Sequence, residues 1–463
     1  MRFPSVAVAT ITLCVLIANG WRQTCKAADL PNVVLIISDD QGAGDYGFMG
    51  HPQIQTPNLD RLAAQSRVFT NGFVPMSLCC PSLASIITGL YPHQHKITSN
   101  DPPSVPGAKK GGRGSSSEQE AHWNAALDNQ VTLPRLLASK GYLSFQTGKW
   151  WHGDFSRGGF SHGMTKGTRH GDAGLTIGRE GLQPIFDFVA TSHKQNRPFF
   201  VWYAPFMPHT PHTPPDRLFQ KYAATTASPH IARYWAMCEW FDETCGQLLD
   251  FLDREKLAEN TIVIYVTDNG WVQSPDRAGF APKNKTTPFD RGHRTPIMVR
   301  WPGKVHPERS FALASSIDIV PTVLAATQPL LAAELRETNQ LPGINMLDNE
   351  AIRRREYVFG ECFTVRSQSL EDPAANLLWR WVTDGRWRLI VPRTSEADQR
   401  LQAIPRDSYL TGDLQTTLES AKPMLFNLDS DPGEDQDLAD AFPEIVARLR
   451  RPLDQLWIPK VAP

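Results

Sequence analysis

Four unbroken apolar runs of strand length set the first limit on the fold. They are Asn32 to Ser38 (NVVLIIS), Pro198 to Ala204 (PFFVWYA), Thr261 to Thr267 (TIVIYVT) and Pro296 to Trp301 (PIMVRW). None alternates apolar with polar residues, so each needs cover on both faces, as in a central, largely parallel sheet. Helical stretches lie between them. Thr56-Pro57 predicts one, with threonine as N-cap and proline in the first turn. Ile231 to Arg254 predicts a longer one. Alternating strands and helices predict an α/β core. The pattern ends near Glu350. Beyond it, Trp379 to Pro392 reads as paired strands around an Asp384-Gly385 turn, and Phe442 to Leu456 as a closing helix.

At 463 residues and 41% hydrophobic content the chain is long and apolar enough for two domains. The expected division is a signal peptide over 1–27, a large α/β domain over 28–350 and a C-terminal α+β subdomain over 351–463. The signal reading rests on Arg2, the apolar stretch Val6 to Ala18, and small residues Ala27 and Ala28 at a cleavage point. That stretch is shorter than the ~20 residues of a spanning helix; an uncleaved anchor is the alternative. The expected product is secreted or periplasmic, without a stable membrane span. A net charge of −1 gives no field favouring nucleic acid. Of seven cysteines, Cys14 and Cys25 leave with the signal, and an odd five remain, which asks for one free or modified thiol. Cys238 and Cys245 fall two turns apart on one helix and should not pair. Asp101 to Glu120 is a long polar loop, either a lid or disordered.

Two acidic pairs follow strands. Asp39-Asp40 follows the first run and Asp268-Asn269 the third. Ligands of open α/β sheets bind beyond the carboxyl ends of strands, so three carboxylates and one amide oxygen could converge. Left alone they would repel one another. A hard cation relieves that, and all-oxygen ligation suits Ca²⁺ or Mg²⁺ rather than Zn²⁺. Either pair taken singly could be a plain turn. Cys79 precedes a helix predicted from Pro81 to Leu90, where free N–H groups and the helix dipole suit an anion. It reads as a thiolate of lowered pKa or as a buried structural cysteine.

The stretch Cys79-Cys80-Pro81-Ser82-Leu83, continuing through Thr88-Gly89-Leu90-Tyr91-Pro92, resembles the signature of the sulfatase family. The resemblance implies that Cys79 is oxidised to formylglycine by a formylglycine-generating enzyme or equivalent maturase. It also implies the chemistry. The aldehyde hydrates, one hydroxyl on the metal attacks sulfur and displaces the alcohol, and the second loses its proton as sulfate leaves. A covalent intermediate divides one hard hydrolysis into two easier steps. The family's arginine position holds Leu83, which has neither charge nor donor; Lys96, Arg169 and Arg294 are other cations that could serve.

Further motifs extend the resemblance. Gly148-Lys149-Trp150-Trp151-His152 is similar to the family's Gly-Lys-Trp-His segment, with Lys149 in place and His152 one residue late. Lys285 matches the second family lysine, and Asp290 stands where glutamate is usual. The loop Tyr203 to Pro215 resembles the family's His-x-Pro loop. His209 and His212 both fit, and His209 is preferred because of Pro215. The implied roles are Lys149 and Lys285 on the sulfate oxygens and His209 as general acid. His152 and His212 are further candidates, and His93 and His95 are possible lining. Asp39, Asp40, Asp268, Asn269 and the modified Cys79 would hold the metal. Asp318 to Thr322 and Leu425 to Asp435 carry the resemblance towards the C-terminus. It implies an alkaline-phosphatase-like core, mostly parallel and flanked by helices, with a small C-terminal sheet. The implied activity is removal of sulfate from a sulfated carbohydrate or an aryl sulfate. The tryptophans and the polar loop suit a sugar. The alternatives are a phosphoester or phosphonoester hydrolase of the same superfamily, and a non-catalytic glycan binder, which Leu83 would favour. The sequon Asn284-Lys285-Thr286 overlaps a predicted site lysine and is expected to be unused.

Overall fold

The strand Asn32–Ser38 (β1) is buried at all seven positions, as an unbroken apolar run requires. The computed structural model describes residues 30–104, 115–393 and 413–460. The expected signal segment with Cys14 and Cys25, and residues 105–114 of the expected loop, lie outside the described residues. Ser117–Asn124, at the far end of that loop, is helical.

Seven more strands join β1. They are β2 (Arg67–Phe73), β3 (Leu143–Gly148), β4 (His162–Gly163), β5 (Phe199–Ala204), β6 (Thr261–Thr267), β7 (Arg294–Arg300) and β8 (Glu308–Ser315). Their order is β4-β3-β5-β1-β6-β7-β2-β8. Every neighbouring pair is parallel except the two made by β7, which runs against β6 and β2. The run expected at Pro296 to Trp301 is therefore the one reversed strand, and it starts two residues earlier.

The pleat divides β1 between two cores. Val33, Leu35 and Ile37 pack with Leu83, Ile86 and Ile87 of the helix Cys79–Thr88. Val34 and Ile36 pack with Phe241 and Leu248 of the helix Pro229–Arg254. Each fully buried aliphatic side chain contributes about 1.5–3 kcal/mol over the exposed state, so the sheet carries a helical layer on both faces. Cys238 and Cys245 sit in two different apolar clusters, as free thiols.

Thr56 stands at the N-cap of the helix Pro57–Ala64, but its hydroxyl does not cap it. That hydroxyl donates to Asp60 and accepts from the Gly47 N–H, both at 2.9 Å. The first free N–H groups, of Asn58 and Leu59, go instead to the buried carboxylate of Asp242, at 3.2 and 2.7 Å. A tertiary contact has replaced the local cap that the sequence suggested.

A second sheet follows the first. β9 (Val358–Phe363), β10 (Leu377–Thr383), β11 (Trp387–Pro392) and β12 (Met424–Asn427) form an antiparallel sheet in the order β12-β11-β10-β9. At the expected turn, Gly385 has φ of 95° and Asp384 accepts from the N–H groups of Arg386 and Trp387. The closing helix is Pro443–Leu456. The two sheets meet where the Glu361 N–H donates to the Pro75 carbonyl at 2.8 Å and Arg388 donates to the Pro288 carbonyl at 2.7 Å. No helix among the described residues is long and apolar enough to cross a membrane.

Candidate active site

Strand direction gathers the site. β1, β3, β5 and β6 are mutually parallel, so Asp39-Asp40, Lys149, the His209 loop and Asp268-Asn269 all emerge at one edge. β2 points the same way and leads to the helix that begins at Cys79. β7 is reversed, so the segment before it, with Lys285, arrives at that edge from the other direction. Ligand sites of α/β sheets are expected at such an edge.

The helix starts at Cys79, two residues before the expected Pro81, after an extended Leu78. Asn100 Oδ1 accepts from the Cys80 N–H at 3.0 Å and so satisfies one free donor of the first turn. Gly89, with φ of 72°, ends the helix against Val320.

Lys149 Nζ donates to Asp39 Oδ1 at 2.6 Å and lies 3.7 Å from Asp268 Oδ2. Lys285 Nζ donates to Asp40 Oδ1 and lies 3.1 Å from Cys79 Sγ. Asp268 Oδ1 accepts from the N–H groups of Asp40 and Asn269. The Asn269 amide donates to Asp40 Oδ1 at 2.7 Å. His209 Nε2 stands 3.4 Å from Asp40 Oδ2, and its Nδ1 donates to the Thr210 carbonyl at 2.5 Å.

Four buried oxygens in this cluster accept no hydrogen bond: Asp39 Oδ2, Asp40 Oδ2, Asp268 Oδ2 and Asn269 Oδ1. Unsatisfied buried acceptors are costly. Ligand atoms of Asp39, Asp40, Cys79 and His209 lie within 4.8 Å of one another. The four unsatisfied oxygens, three of them from carboxylates, are the donor type that fits a hard divalent cation.

Electrostatics follow from burial. It pushes the Asp39 carboxyl well up, with Asp268 and Asp40 adding to it and Lys149 opposing. Asp40 is also desolvated, but Lys285, His209 and Lys149 together hold it below the usual carboxylate range. Burial pushes the Cys79 thiol up to about 12, against the pull of both lysines. Of the two readings of Cys79, burial favours the buried cysteine over the thiolate of lowered pKa, because desolvation exceeds the charge effect. Burial holds His209 well below its ordinary value, and Lys149 adds to this.

A cavity of about 240 Å³ opens over the cluster, lined by Asp40, Cys79, Asn100, Arg169, His209 and Lys285 among others. Several candidates are not in its wall. His152 lies on the other side of the backbone, its Nδ1 against the Trp123 carbonyl at 3.0 Å and its Nε2 3.4 Å from Cys80 Sγ. His212 packs beside Tyr234 and Trp271. His95 bonds Ser85, and His93 pairs with Glu361 under a stacked Trp457. Leu83 faces the core. Of the cations considered for its place, Arg169 reaches the cavity. Lys96 is exposed beside Glu371, and Arg294 is taken by Asp290 and Asn71. Asn284 is buried and donates to backbone carbonyls, so the folded sequon has no room for a glycan.

His170, Asn100 and Trp271 also line the cavity and were not foreseen. The glycines and aspartate around His170, in Gly167-Thr168-Arg169-His170-Gly171-Asp172, were the one available signal of an unusual turn there.

A model of the sulfatase family matches residues 31–329. Arylsulfatase A of Bos taurus is 28% identical over 508 residues, covering 97% of this chain and 90% of that protein. N-acetylgalactosamine-6-sulfatase of Canis lupus familiaris is 27% identical, covering 94% and 88%. Two solved structures are similar in fold. PsFucS1 sulfatase from Pseudoalteromonas sp. is 18% identical with a TM-score of 0.66, covering 92% of this chain and 90% of that one. The phosphonate monoester hydrolase of Agrobacterium radiobacter is 17% identical with a TM-score of 0.62, covering 92% and 95%. The shared architecture is the alkaline-phosphatase-like one.

Proposed function

Because the chain belongs to the sulfatase family and is a sulfuric ester hydrolase, we propose that it removes sulfate from a sulfated carbohydrate, with Cys79, matured to formylglycine, as nucleophile. The observation that carries this reading is the seat of Cys79. It opens a buried helix beneath the cavity, 3.1 Å from the Lys285 ammonium and beside the oxygen cluster.

Asp39, Asp40, Asp268 and Asn269 would hold Ca²⁺ or Mg²⁺ through their unsatisfied oxygens. Such an ion supplies Lewis acidity and helps to generate a nucleophile near neutral pH. The remaining work falls to the chain. An ammonium has three donors, so Lys149 and Lys285 can each hold a carboxylate and still present an N–H to a sulfate oxygen. Their charge is prepaid, which is what favours the more anionic transition state. His209 is anchored through Nδ1, leaving Nε2 for the leaving alcohol. The negative charge of a bound ester would raise its depressed pKa and let it act as proton donor.

A sugar is the favoured substrate because Trp271 and Phe280 share the cavity with the polar groups of Asn100 and Thr210. The N-acetylgalactosamine-6-sulfatase relative acts on such a group. The apolar N-terminus adds export to the reading, with 28–350 as the catalytic domain and 351–463 as a subdomain that braces the Lys285 segment.

The test joins mass spectrometry of the Cys79 peptide, from protein made in its native host, with paired turnover of an aryl sulfate and an aryl phosphate. Formylglycine with sulfate preference is the expected result. Unmodified cysteine with faster phosphate turnover would refute the nucleophile and favour the phosphoester alternative.

A further inference from the structure

Leu83 and Trp151 are both core residues, at positions where the motifs would put an arginine and a histidine. A different segment brings an arginine and a histidine to the same cavity. Arg169 and His170 line it with Cys79, Lys285 and His209. The Arg169 guanidinium lies over the Trp151 ring, 4.8 Å from its centroid, and His170 meets the same ring edge-on at 4.5 Å. Trp151 is thus the platform on which the pair rests.

The pair is fixed by hydrogen bonds. Asp101 accepts from Arg169 Nε at 2.9 Å and from Nη2 at 3.2 Å. The third nitrogen, Nη1, donates to His170 Nε2 at 2.7 Å. An arginine cannot accept, so Nε2 is the acceptor and the neutral ring carries its hydrogen on Nδ1. The imidazole therefore has one donor, and it points away from the arginine.

The backbone is fixed as well. His170, Gly171 and Asp172 have φ of 71°, 123° and 36°. Successive left-handed residues are sparsely populated, and they persist only where surrounding contacts over-determine them. Those contacts are present. The Asp172 carboxylate accepts from the N–H groups of Lys166, Gly167 and Thr168. The Trp150 N–H donates to the His170 carbonyl at 3.0 Å. A Cβ on Gly171 would come within 2.4 Å of the Gly148 carbonyl, so the segment is pressed onto the strand end that carries Lys149.

Resting on the sulfatase reading, we propose that His170 contacts the sulfate ester through its Nδ1 hydrogen, and that Arg169, clamped by Asp101 on Trp151, is the positioning residue that sets this tautomer. The additional donor to the ester then comes from a remote segment instead of the nucleophile helix.

Inorganic sulfate is the probe, titrated calorimetrically into metal-loaded protein, alongside KM and kcat on an aryl sulfate. Asn tolerates left-handed backbone and puts an amide nitrogen near the place of Nδ1; Gln reaches instead towards that of Nε2. His170→Asn should keep sulfate affinity within threefold of wild type. His170→Gln and His170→Ala should each lose at least tenfold. Arg169→Met should raise KM about tenfold in the wild-type background and have little effect in the His170→Ala background, because it acts through His170. Equal affinity for the Asn and Gln variants, or an undiminished Arg169→Met effect without His170, would overturn the proposal. So would a wild type that binds no sulfate. A wild type that binds sulfate but turns over no aryl sulfate fails the functional reading alone, and the affinity series then decides on His170.

Discussion

Replacing Lys149 with methionine tests the electrostatic account of the site most directly. The ammonium is 1% exposed and lies 2.6 Å from Asp39 and 3.7 Å from Asp268. At an effective dielectric constant of ~20, those contacts amount to gross attractions of about 6 and about 4.5 kcal/mol. Desolvation of the ions cancels much of that, and breaking one side of a buried pair costs about 3–5 kcal/mol net. This is the loss expected in urea unfolding with a chelator present. A divalent cation should reverse part of it. Asp39, Asp40 and Asp268 oppose Lys149 and Lys285, three charges against two, a net of −1. Above the Asp39 pKa the net without Lys149 is −2, so at such a pH Ca²⁺ should bind about tenfold more tightly or better, ~1.4 kcal/mol or more. The stability deficit in saturating Ca²⁺ should shrink by at least that much.

The chelated variant should also show a pH signature. Burial already raises Asp39, and losing Lys149 raises it further. A carboxyl whose folded pKa is raised is penalised as its proton leaves, so stability should fall as pH rises from about 4 towards the folded pKa. The turnover number should drop by about 10²–10³. An equal deficit with and without Ca²⁺, or weaker Ca²⁺ binding in the variant, would refute the account of lysines and cation sharing one anionic cluster.

Three further outcomes are expected. His209→Ala should lower kcat by about 10²–10⁴ on a carbohydrate sulfate, and far less on nitrophenyl sulfate, whose phenolate leaves without a proton; equal losses would remove the proton-donor role. Leu83→Arg should cost about 3 kcal/mol or more by urea unfolding, because it buries an unpaired charge in the core cluster; a stable, more active variant would mean that this position opens on the cavity. Unmodified Cys79, with its thiol pushed up to about 12, should be about one part in 10⁴ thiolate at pH 8; alkylation by iodoacetamide within minutes in the folded protein would contradict that.

The parts of the fold legible in the sequence were those where one residue type filled a whole strand. β1, β5 and β6 are unbroken apolar runs and stood out. β2 and β3 did not, because Thr70, Asn71, Gln146 and Thr147 interrupt them. Those polar groups are paired in the fold; Thr147, for instance, donates to the Trp202 carbonyl at 2.9 Å. The acidic dipeptides were legible because they follow visible strands. Lys149, Lys285 and His209 depended on motif resemblance, since a buried lysine looks like any other until the fold pairs it. His152 was misplaced for a geometric reason. Side chains of an extended segment alternate sides, so a shift of one residue turns His152 towards Cys80 and Trp151 towards Arg169 and His170. His170 escaped notice because no hydrophobic pattern marks a reversal of the backbone.

The central position of β1 also dictates an order of events at synthesis. Val33 pairs with Phe200 and Asn32 with Thr261. Among the described strands this one is made first, yet its second neighbour is made roughly 10–45 seconds later at ~5–20 residues per second. During that interval NVVLIIS is an uncharged, β-prone segment with open edges, the type most apt to aggregate. Strand pairing of such long range is intrinsically slow. The sheet that positions the candidate site is therefore also one that depends on protection before it is complete.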